Sequence, residues 1–465
     1  MSKKFISLPY IYPVCPLNIN HTRLYLFADI YARFFRLNGY EVIFSVASHY
    51  SGNTAHKMYD LLKQGDAETI SLHQDFYKTP KEVVNSFSSP IDILNYYSNQ
   101  TLWELKKINI SCNYQDYYDT NSDEFSYFVK AIMHSYEEKG LLVKNSNDSL
   151  ALNYDELSWK EEAVILFNNL NIQKNFHKKT IFSAFNAIKN DWGALRKGGF
   201  GVIFKEDFIL DPMFDSELFT IYDLYNHFSK IHNKKLSQEE FYKLLMFLGS
   251  DETYHSENIF EDIKNSLPCD LFITEEHLKN WLVKRFYAES IFLPKDLQTK
   301  NYFVLGMGFL LKKRMSASRG HAILTKDLVS KYGPDTTRLI IILSGGHPSK
   351  EYSYTYETEE FACSLLSRFT SYYQFLCYDL ECGTEVITLT ELLDIEKVIC
   401  EHIANGYFRQ AIIILLQIIP SNFFVSDQKI KAQIIFLYKK YMDIFLPGYL
   451  NDFKLLTAKH NYETI

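Results

Sequence analysis

The chain has 465 residues, of which 47% are hydrophobic, 23% charged and 16% aromatic, with only 18 Gly and 12 Pro. This composition supplies a large core and excludes fibrous and linker-rich disordered classes. The formal net charge of −7 gives no support to generic polyanion binding and argues against a DNA partner.

Charge is unevenly spread. Residues 351–465 carry 9 Lys/Arg against 15 Asp/Glu, net −6, while the rest is nearly balanced. The seven cysteines, Cys15, Cys112, Cys269, Cys363, Cys377, Cys382 and Cys400, are odd in number and widely spaced. They form neither a disulfide framework nor a CxxC zinc knuckle, so no zinc is expected. The start, MSKKFISLPYIYPV, lacks a long apolar run and reads as a first strand, not a signal peptide. The longest apolar run, AIIILLQII at 411–419, is far short of the roughly 20 residues that a membrane span needs. A soluble, cytoplasmic protein with no membrane partner is expected.

In chain order, residues 5–12 read as a buried strand ending at Pro13 and Pro16. Residues 17–37 form a helix with Ile30, Phe34 and Leu37 on one face, closed by Gly39, and residues 41–48 form a second strand. This is a βαβ unit, and ligands in such sheets bind at the carboxyl ends of strands. Residues 80–145 are helical, and 150–190 are mixed and polar with a helix near 156–170. The Gly-rich turn KGGFG (197–201) precedes a strand, VIF. Residues 211–231 form a helix opened by Asp215 or Ser216 as cap. Residues 270–274 are a strand, the segment to Phe292 is helical, and 301–311 are a strand or hairpin. Residues 312–323 are a basic, Ser-rich loop, and the chain from 324 is mainly helical, with helices at 357–380, 390–403, 405–419 and 427–446.

Several blocks of sequence, in this order and spacing, resemble class I aminoacyl-tRNA synthetases, most closely the leucyl type of archaeal and eukaryotic cytosolic enzymes. They are PYIYPVCPLNINHTRLYLFADIYARFFRLNGYEVIFSVASHYSGNTA (9–55), PKEVVNSF onward (80–111), FSYFVKAIMHSYEEKGLL (127–142), NDWGALRKGGFGVIF with DPMFDSELFTIYD (190–223), CDLFITEEHL (269–278) and LLKKRMSASRGHAILTKDLVSKYGPDTTRLIIIL (310–343). The resemblance implies an α/β fold. A split Rossmann-type catalytic domain with a parallel sheet (1–142 and 191–350) would be followed by an α-helical anticodon-binding-like bundle (351–465). Only a short connective segment, 143–190, stands where the family's editing domain is inserted, which implies that editing in the family's manner is absent.

Amino-acid activation joins a carboxylate to the α-phosphate of ATP, so the task is positioning and charge neutralisation. The resemblance assigns ATP with Mg2+ to this chain. The family's HIGH box falls on Asn18-Ile19-Asn20-His21, where only the second histidine, His21, is kept. Asn18 can still donate to phosphate, and Asn20 replaces the glycine against which adenine lies flat. The plain alternative is a helix start capped by Asn18 or Asn20. The KMSKS loop falls on Arg314-Met315-Ser316-Ala317-Ser318. Arg314 keeps the first charge, Ala317 loses the second, and Lys312, Lys313 and Arg319 stand nearby. The alternative for this cluster is a solvated loop. The ribose-binding turn falls on Thr274-Glu275-Glu276-His277, with glycine replaced by Glu275 and the acid by His277; Glu275 beside a triphosphate is repulsive.

The amino-acid side implied by the resemblance comprises Tyr10, Tyr12, His49, Tyr50, Phe219 and Tyr222, against the alternative of aromatic core packing. Trp192 and Arg196 match a family segment, with a structural role favoured. tRNA contacts rest on Lys and Arg. The C-terminal segment offers them only around Lys429, Lys431, Lys439 and Lys440. The expected function is a leucyl-type paralogue that activates an amino acid outside ordinary translation and passes it to a small-molecule amine or carrier. Three rivals stand beside it: a fold that has given up ATP and uses aminoacyl-tRNA, a non-catalytic binder of a partner protein or amino acid, and an ordinary leucyl-tRNA synthetase.

Overall fold

A computed structural model describes residues 2–144, 150–172, 175–188, 193–205, 208–250, 257–377, 389–422 and 427–450. Trp192, Cys382, part of the connective segment and the last fifteen residues lie outside them. The chain forms two compact units. The first comprises residues 1–16, 41–102 and 112–304; the second comprises 17–40, 103–111 and 305–465.

Unit 1 is built on a five-stranded sheet. Its strands are β1 (Lys3–Ser7), β2 (Glu41–Phe44), β3 (Asn171–Ile172), β4 (Cys269–Thr274) and β5 (Asn301–Leu305), in the order β2-β1-β4-β5-β3. β1 pairs in parallel with both β2 and β4, and β5 with β3. β4 buries every residue from Cys269 to Ile273, and β1 buries Phe5, Ile6 and Ser7, as strands covered on both faces do. In sequence, β1 leads through α1 (Ile19–Leu37) to β2, the βαβ order expected from the apolar pattern.

Unit 1 includes helices α2 (Asp123–Glu138), α3 (Leu157–Asn168), α4 (Phe219–Ile231), α5 (Gln238–Gly249) and α6 (Trp281–Phe292). Their buried faces are aromatic. Trp159, Tyr154 and Tyr287 interlock with ring centroids 4.8–5.5 Å apart, and Trp159 donates to the Tyr287 carbonyl at 2.7 Å. That bond satisfies the one polar atom of a buried indole.

Unit 2 contains α1, a three-stranded sheet of β6 (Gly308–Leu310), β7 (Lys313–Arg314) and β8 (Tyr352–Tyr354) in the order β7-β6-β8, and helices including α7 (Pro334–Leu343), α8 (Tyr356–Cys377) and α9 (Gln428–Phe445). Its polar hub is Asp29 on α1. The carboxylate takes Arg338 Nη2 at 2.8 Å, Arg33 Nε at 2.9 Å, and the Ser111 N–H and hydroxyl at 2.6 Å each. Burial opposes the charge, yet the two guanidinium groups and Ser111 outweigh it and hold Asp29 below the usual carboxylate range. Arg338 also donates to the Phe445 carbonyl at 2.6 Å and the Ile108 carbonyl at 3.0 Å, tying α7 to the end of α9.

Several element boundaries differ from the sequence reading. The first strand stops at Ser7, not residue 12, because no ladder partner continues past Leu271 except a single bridge at Ile11. The second strand breaks after Phe44 and resumes only as Ala47–Ser48. The helix over 211–231 is two helices. Asp211 caps the short Pro212–Asp215 by accepting from the Met213 N–H, and α4 starts at Phe219 without a side-chain cap. Asp215 is therefore free of the capping duty and turns toward a histidine. The segment after residue 324 also contains β8, whose alternation Tyr-Ser-Tyr buries two rings.

Candidate functional site

The residues singled out from the sequence fall into two groups, one in each unit. In unit 1, Tyr10 follows β1, His49 follows the Ala47–Ser48 strand, and Phe219 opens α4. Their side chains meet. The Tyr10 ring centroid is 5.0 Å from Phe219 and 5.5 Å from His49. Trp281 at the start of α6 continues the wall, 5.9 Å from Phe219. His49 Nε2 lies 2.9 Å from Asp215 Oδ1. Asp215 is buried, and burial raises its pKa against the opposing pull of His49.

Beneath Tyr10 runs a second polar chain. Tyr118 Oη is 2.7 Å from Tyr10 Oη and 2.7 Å from Asp223 Oδ1, and the Ser7 hydroxyl donates to Asp223 Oδ2 at 2.6 Å. A phenol has one proton. When Tyr118 gives its proton to Asp223, Tyr10 must supply one to Tyr118. Burial pushes the Asp223 carboxyl up to about 7, against Ser7 and Tyr118, which favour its charged form.

The other amino-acid-side residues are spread around this cluster. Tyr222 packs in the core, its ring 4.9 Å from Tyr118 and 5.0 Å from Phe125. Tyr50 is held by its N–H to Thr120 Oγ1 and by its hydroxyl to Asn95 Oδ1, each at 2.9 Å. Tyr12 Oη accepts the Ala55 N–H at 3.2 Å, and Arg196 donates to the Phe200 carbonyl at 3.0 Å, beside the Gly52–Phe200 bridge. Thr274 ends β4, and Glu275 and His277 lie on the turn after it. His277 Nδ1 accepts the Thr274 N–H at 3.2 Å, so the imidazole closes its own turn, and burial lowers its pKa. Its ring meets Trp281 edge-on at 5.4 Å, which joins this turn to the aromatic wall.

The second group belongs to unit 2. Asn18 is the N-cap of α1; its Oδ1 accepts from the Asn20 N–H at 2.9 Å and the His21 N–H at 3.2 Å. The Asn20 side chain is engaged elsewhere: its Oδ1 takes the Gly308 N–H at 2.9 Å and the Tyr352 hydroxyl at 2.7 Å. Around Gly308 there is no spare volume. A Cβ there would come within 2.4 Å of Asn20 Oδ1 and of Met315 Cε, and 2.6 Å of Tyr352 Cζ. Asn20, Met315 and Tyr352 are all buried. Asn20 of the HIGH-like box and Met315 of the KMSKS-like loop thus close around one glycine.

The basic segment is more ordered than a plain loop. β6 and β7 form a hairpin whose turn residues Leu311 and Lys312 have φ of 49° and 64°, the primed-turn geometry that matches strand twist. Lys312, Lys313, Arg314 and Arg319 are exposed. Beyond them Ser316 and His321 exchange backbone hydrogen bonds at 2.7 and 3.1 Å around a 3-10 turn, Ala317–Arg319. Ala317 is 3% exposed.

Sequence reasoning missed Asp215 as a partner of His49, and missed Asp223, Tyr118, Ser7 and Trp281 altogether. Tyr118 and Asp223 are 105 positions apart, and no local spacing signals such a pair. Among the described residues no group of three or more His, Cys, Asp or Glu could hold a metal ion, and no helix is long and apolar enough to cross a membrane.

No family model matches the sequence. Leucine–tRNA ligase 2 of Sulfolobus acidocaldarius is 32% identical over 145 residues, 31% of this chain and 15% of that protein. Leucine–tRNA ligase of Methanopyrus kandleri is 32% identical over 143 residues, again 31% and 15%. The match thus spans about 15% of the length of these curated relatives. Methionyl-tRNA synthetase of Mycobacterium tuberculosis in complex with methionyl-adenylate superposes with a TM-score of 0.67 at 13% identity, covering 98% of this chain and 94% of that one. The fold is that of the class I aminoacyl-tRNA synthetases. Within that class, the sequence relatives of this chain are archaeal leucyl-tRNA synthetases, at about 30% identity over a third of its length.

Proposed function

We propose that this chain is a synthetase-like paralogue that recognises one amino acid in unit 1, activates its carboxyl group with ATP, and hands the aminoacyl group to a small-molecule amine or carrier outside ordinary translation. The observation that carries the reading is the cluster of Tyr10, His49, Asp215 and Phe219. Tyr10, Phe219 and Trp281 offer an apolar aromatic wall, and Asp215, set against it, offers a carboxylate held by His49. An α-ammonium beside Asp215, with its hydrocarbon side chain on the rings, satisfies both halves.

ATP enters as co-substrate through the methionyl-adenylate of the structural neighbours. The exposed cations Lys312, Lys313, Arg314 and Arg319 suit a polyphosphate carrying its own Mg2+, with His21 and the hydroxyl of Ser316 as further phosphate contacts. Asn18 acts by fixing the first turn of α1. The adenine side departs from the family pattern. Asn20 is bonded to Gly308 and Tyr352, so a purine has no bare backbone there and must lie off residue 20.

That same Asn20 favours a second reading: the aminoacyl group arrives already activated, on tRNA, and ATP is not used. The cation group Lys429, Lys431, Lys439 and Lys440 is then the candidate for phosphate contacts. Equilibrium dialysis with a full panel of labelled amino acids tests the shared core of both readings. One amino acid should bind through a class of sites that His49→Ala and Phe219→Ala each weaken at least tenfold. Binding unaffected by either change would remove the unit 1 cluster from the account.

A further inference from the structure

Unit 2 holds a cavity of about 380 Å³ that neither reading above uses. Its floor is the Ser344-Gly345-Gly346 loop after α7. Its walls are β8 and the first turn of α8, with Arg409 at one side. Arg409 Nη1 donates to the Leu343 and Gly345 carbonyls at 3.0 and 2.9 Å, which pins the floor in place.

Behind the floor lies Arg23 of α1, only 2% exposed. Its guanidinium is sandwiched between the Phe27 and Tyr352 rings, 4.7 Å from each centroid. Nη1 donates to the Gly306 carbonyl at 3.2 Å, while Nε has no hydrogen-bond partner among the described residues. No carboxylate pairs with Arg23 among the described residues. Nη2 lies 3.1 Å from the point where Gly345 would carry a Cβ. A residue without a side chain therefore separates a buried, unpaired cation from the cavity. Arginine cannot relieve this by losing its proton, and a buried cation calls for an anion.

The lining itself carries the opposite sign. Glu351 and Glu357 line the cavity and are exposed. Thr358 and Ser353 add hydroxyls, and the N-terminal turn of the 22-residue α8 faces in. A buried cation behind Gly345 and an acidic lining disfavour polyphosphates and nucleic acid but complement a small molecule with one charge of each sign.

We propose that this cavity is a binding site for a small zwitterion of the amino-acid class, its carboxylate over Gly345 toward Arg23 and its ammonium toward Glu351 and Glu357. It is a site of unit 2, separate in composition from the Tyr10–His49 cluster of unit 1. Calorimetric titration of the full chain with the amino-acid panel tests it, with inorganic phosphate and propionate as single-charge probes. The expected result is a class of amino-acid sites that survives His49→Ala and Phe219→Ala but weakens at least tenfold in Arg23→Gln and in the double variant Glu351→Gln/Glu357→Gln. Both single-charge probes should bind at least tenfold more weakly than the amino acid. The acidic pair is exposed, so the double variant decides the matter if Arg23→Gln does not fold. No amino-acid binding beyond what the unit 1 variants abolish would overturn the proposal. So would affinity unchanged in the double variant, or phosphate binding as tightly as any amino acid.

Discussion

Replacing Asn20 with Ala tests the claim that this position has exchanged a nucleotide-facing role for a structural one. Two donors lose their acceptor: the buried Gly308 N–H, now 2.9 Å from Asn20 Oδ1, and the Tyr352 hydroxyl at 2.7 Å. Leaving a buried donor unpaired costs about 1–3 kcal/mol. The amide cannot turn away, whereas the hydroxyl can rotate, so the sum is about 3 kcal/mol. Alanine's better helix propensity in the first turn of α1 returns about 0.5 kcal/mol. The net loss should be about 2.5 kcal/mol by urea denaturation with an unchanged slope. Tyr352→Phe removes one of the two donors, so the double variant should lose about 1 kcal/mol less than the sum of the single changes. A loss under about 0.5 kcal/mol for Asn20→Ala, or strict additivity, would refute the clamp and return Asn20 to the list of free side chains.

Other predictions concern the buried charges. Asp29→Ala strands the Arg338 and Arg33 cations, and Arg338 is fully buried. It should cost about 3–5 kcal/mol, whereas a change at an exposed pair such as Lys243–Glu239 should cost under about 1 kcal/mol. Asp223 and Glu217 have their folded pKa values raised by burial to about 7 and about 8. The folded protein holds protons there that the unfolded chain releases, so their contribution to stability is full below about pH 4 and falls as pH rises toward 7 and 8. For Asp223 the decline has an upper bound of roughly 4 kcal/mol. Asp223→Asn should flatten the profile between pH 4 and 7, and a profile as steep as the native protein's would contradict the assignment. Tyr118→Phe leaves Tyr10 without its hydroxyl partner and should weaken amino-acid binding several-fold while leaving the aromatic wall intact. An unchanged affinity would show that the relay does not position Tyr10.

The βαβ order was legible because buried strands and an amphipathic helix each leave a periodic trace, here FISL, LYLFADIYARFF and EVIF. The ends were less legible. FISLPYIY reads as one apolar run, yet pairing stops at Ser7, because a ladder partner is a property of a distant segment. The Asp215 cap failed for a related reason: Asp211, one residue before a proline, makes the better cap, and Asp215 is committed to His49. Asn20, Ala317 and His277 stand out in the sequence as departures from the pattern that the resemblance implies for a nucleotide site. Their present tasks were invisible there, since Gly308 and Tyr352 lie some 288 and 332 positions from Asn20. His277 is the exception in principle. A histidine three residues after a threonine at a strand end can close its own turn, and that local signal stood in the sequence.

Amino-acid-dependent ATP–pyrophosphate exchange, run over all amino acids with the natural chain and Ala317→Lys side by side, bears most directly on the proposed activation. The account predicts exchange with the amino acid that binds unit 1, lost in His49→Ala and raised in Ala317→Lys. Binding of an amino acid with no exchange in either form would contradict ATP-dependent activation and leave the reading in which the aminoacyl group arrives already activated.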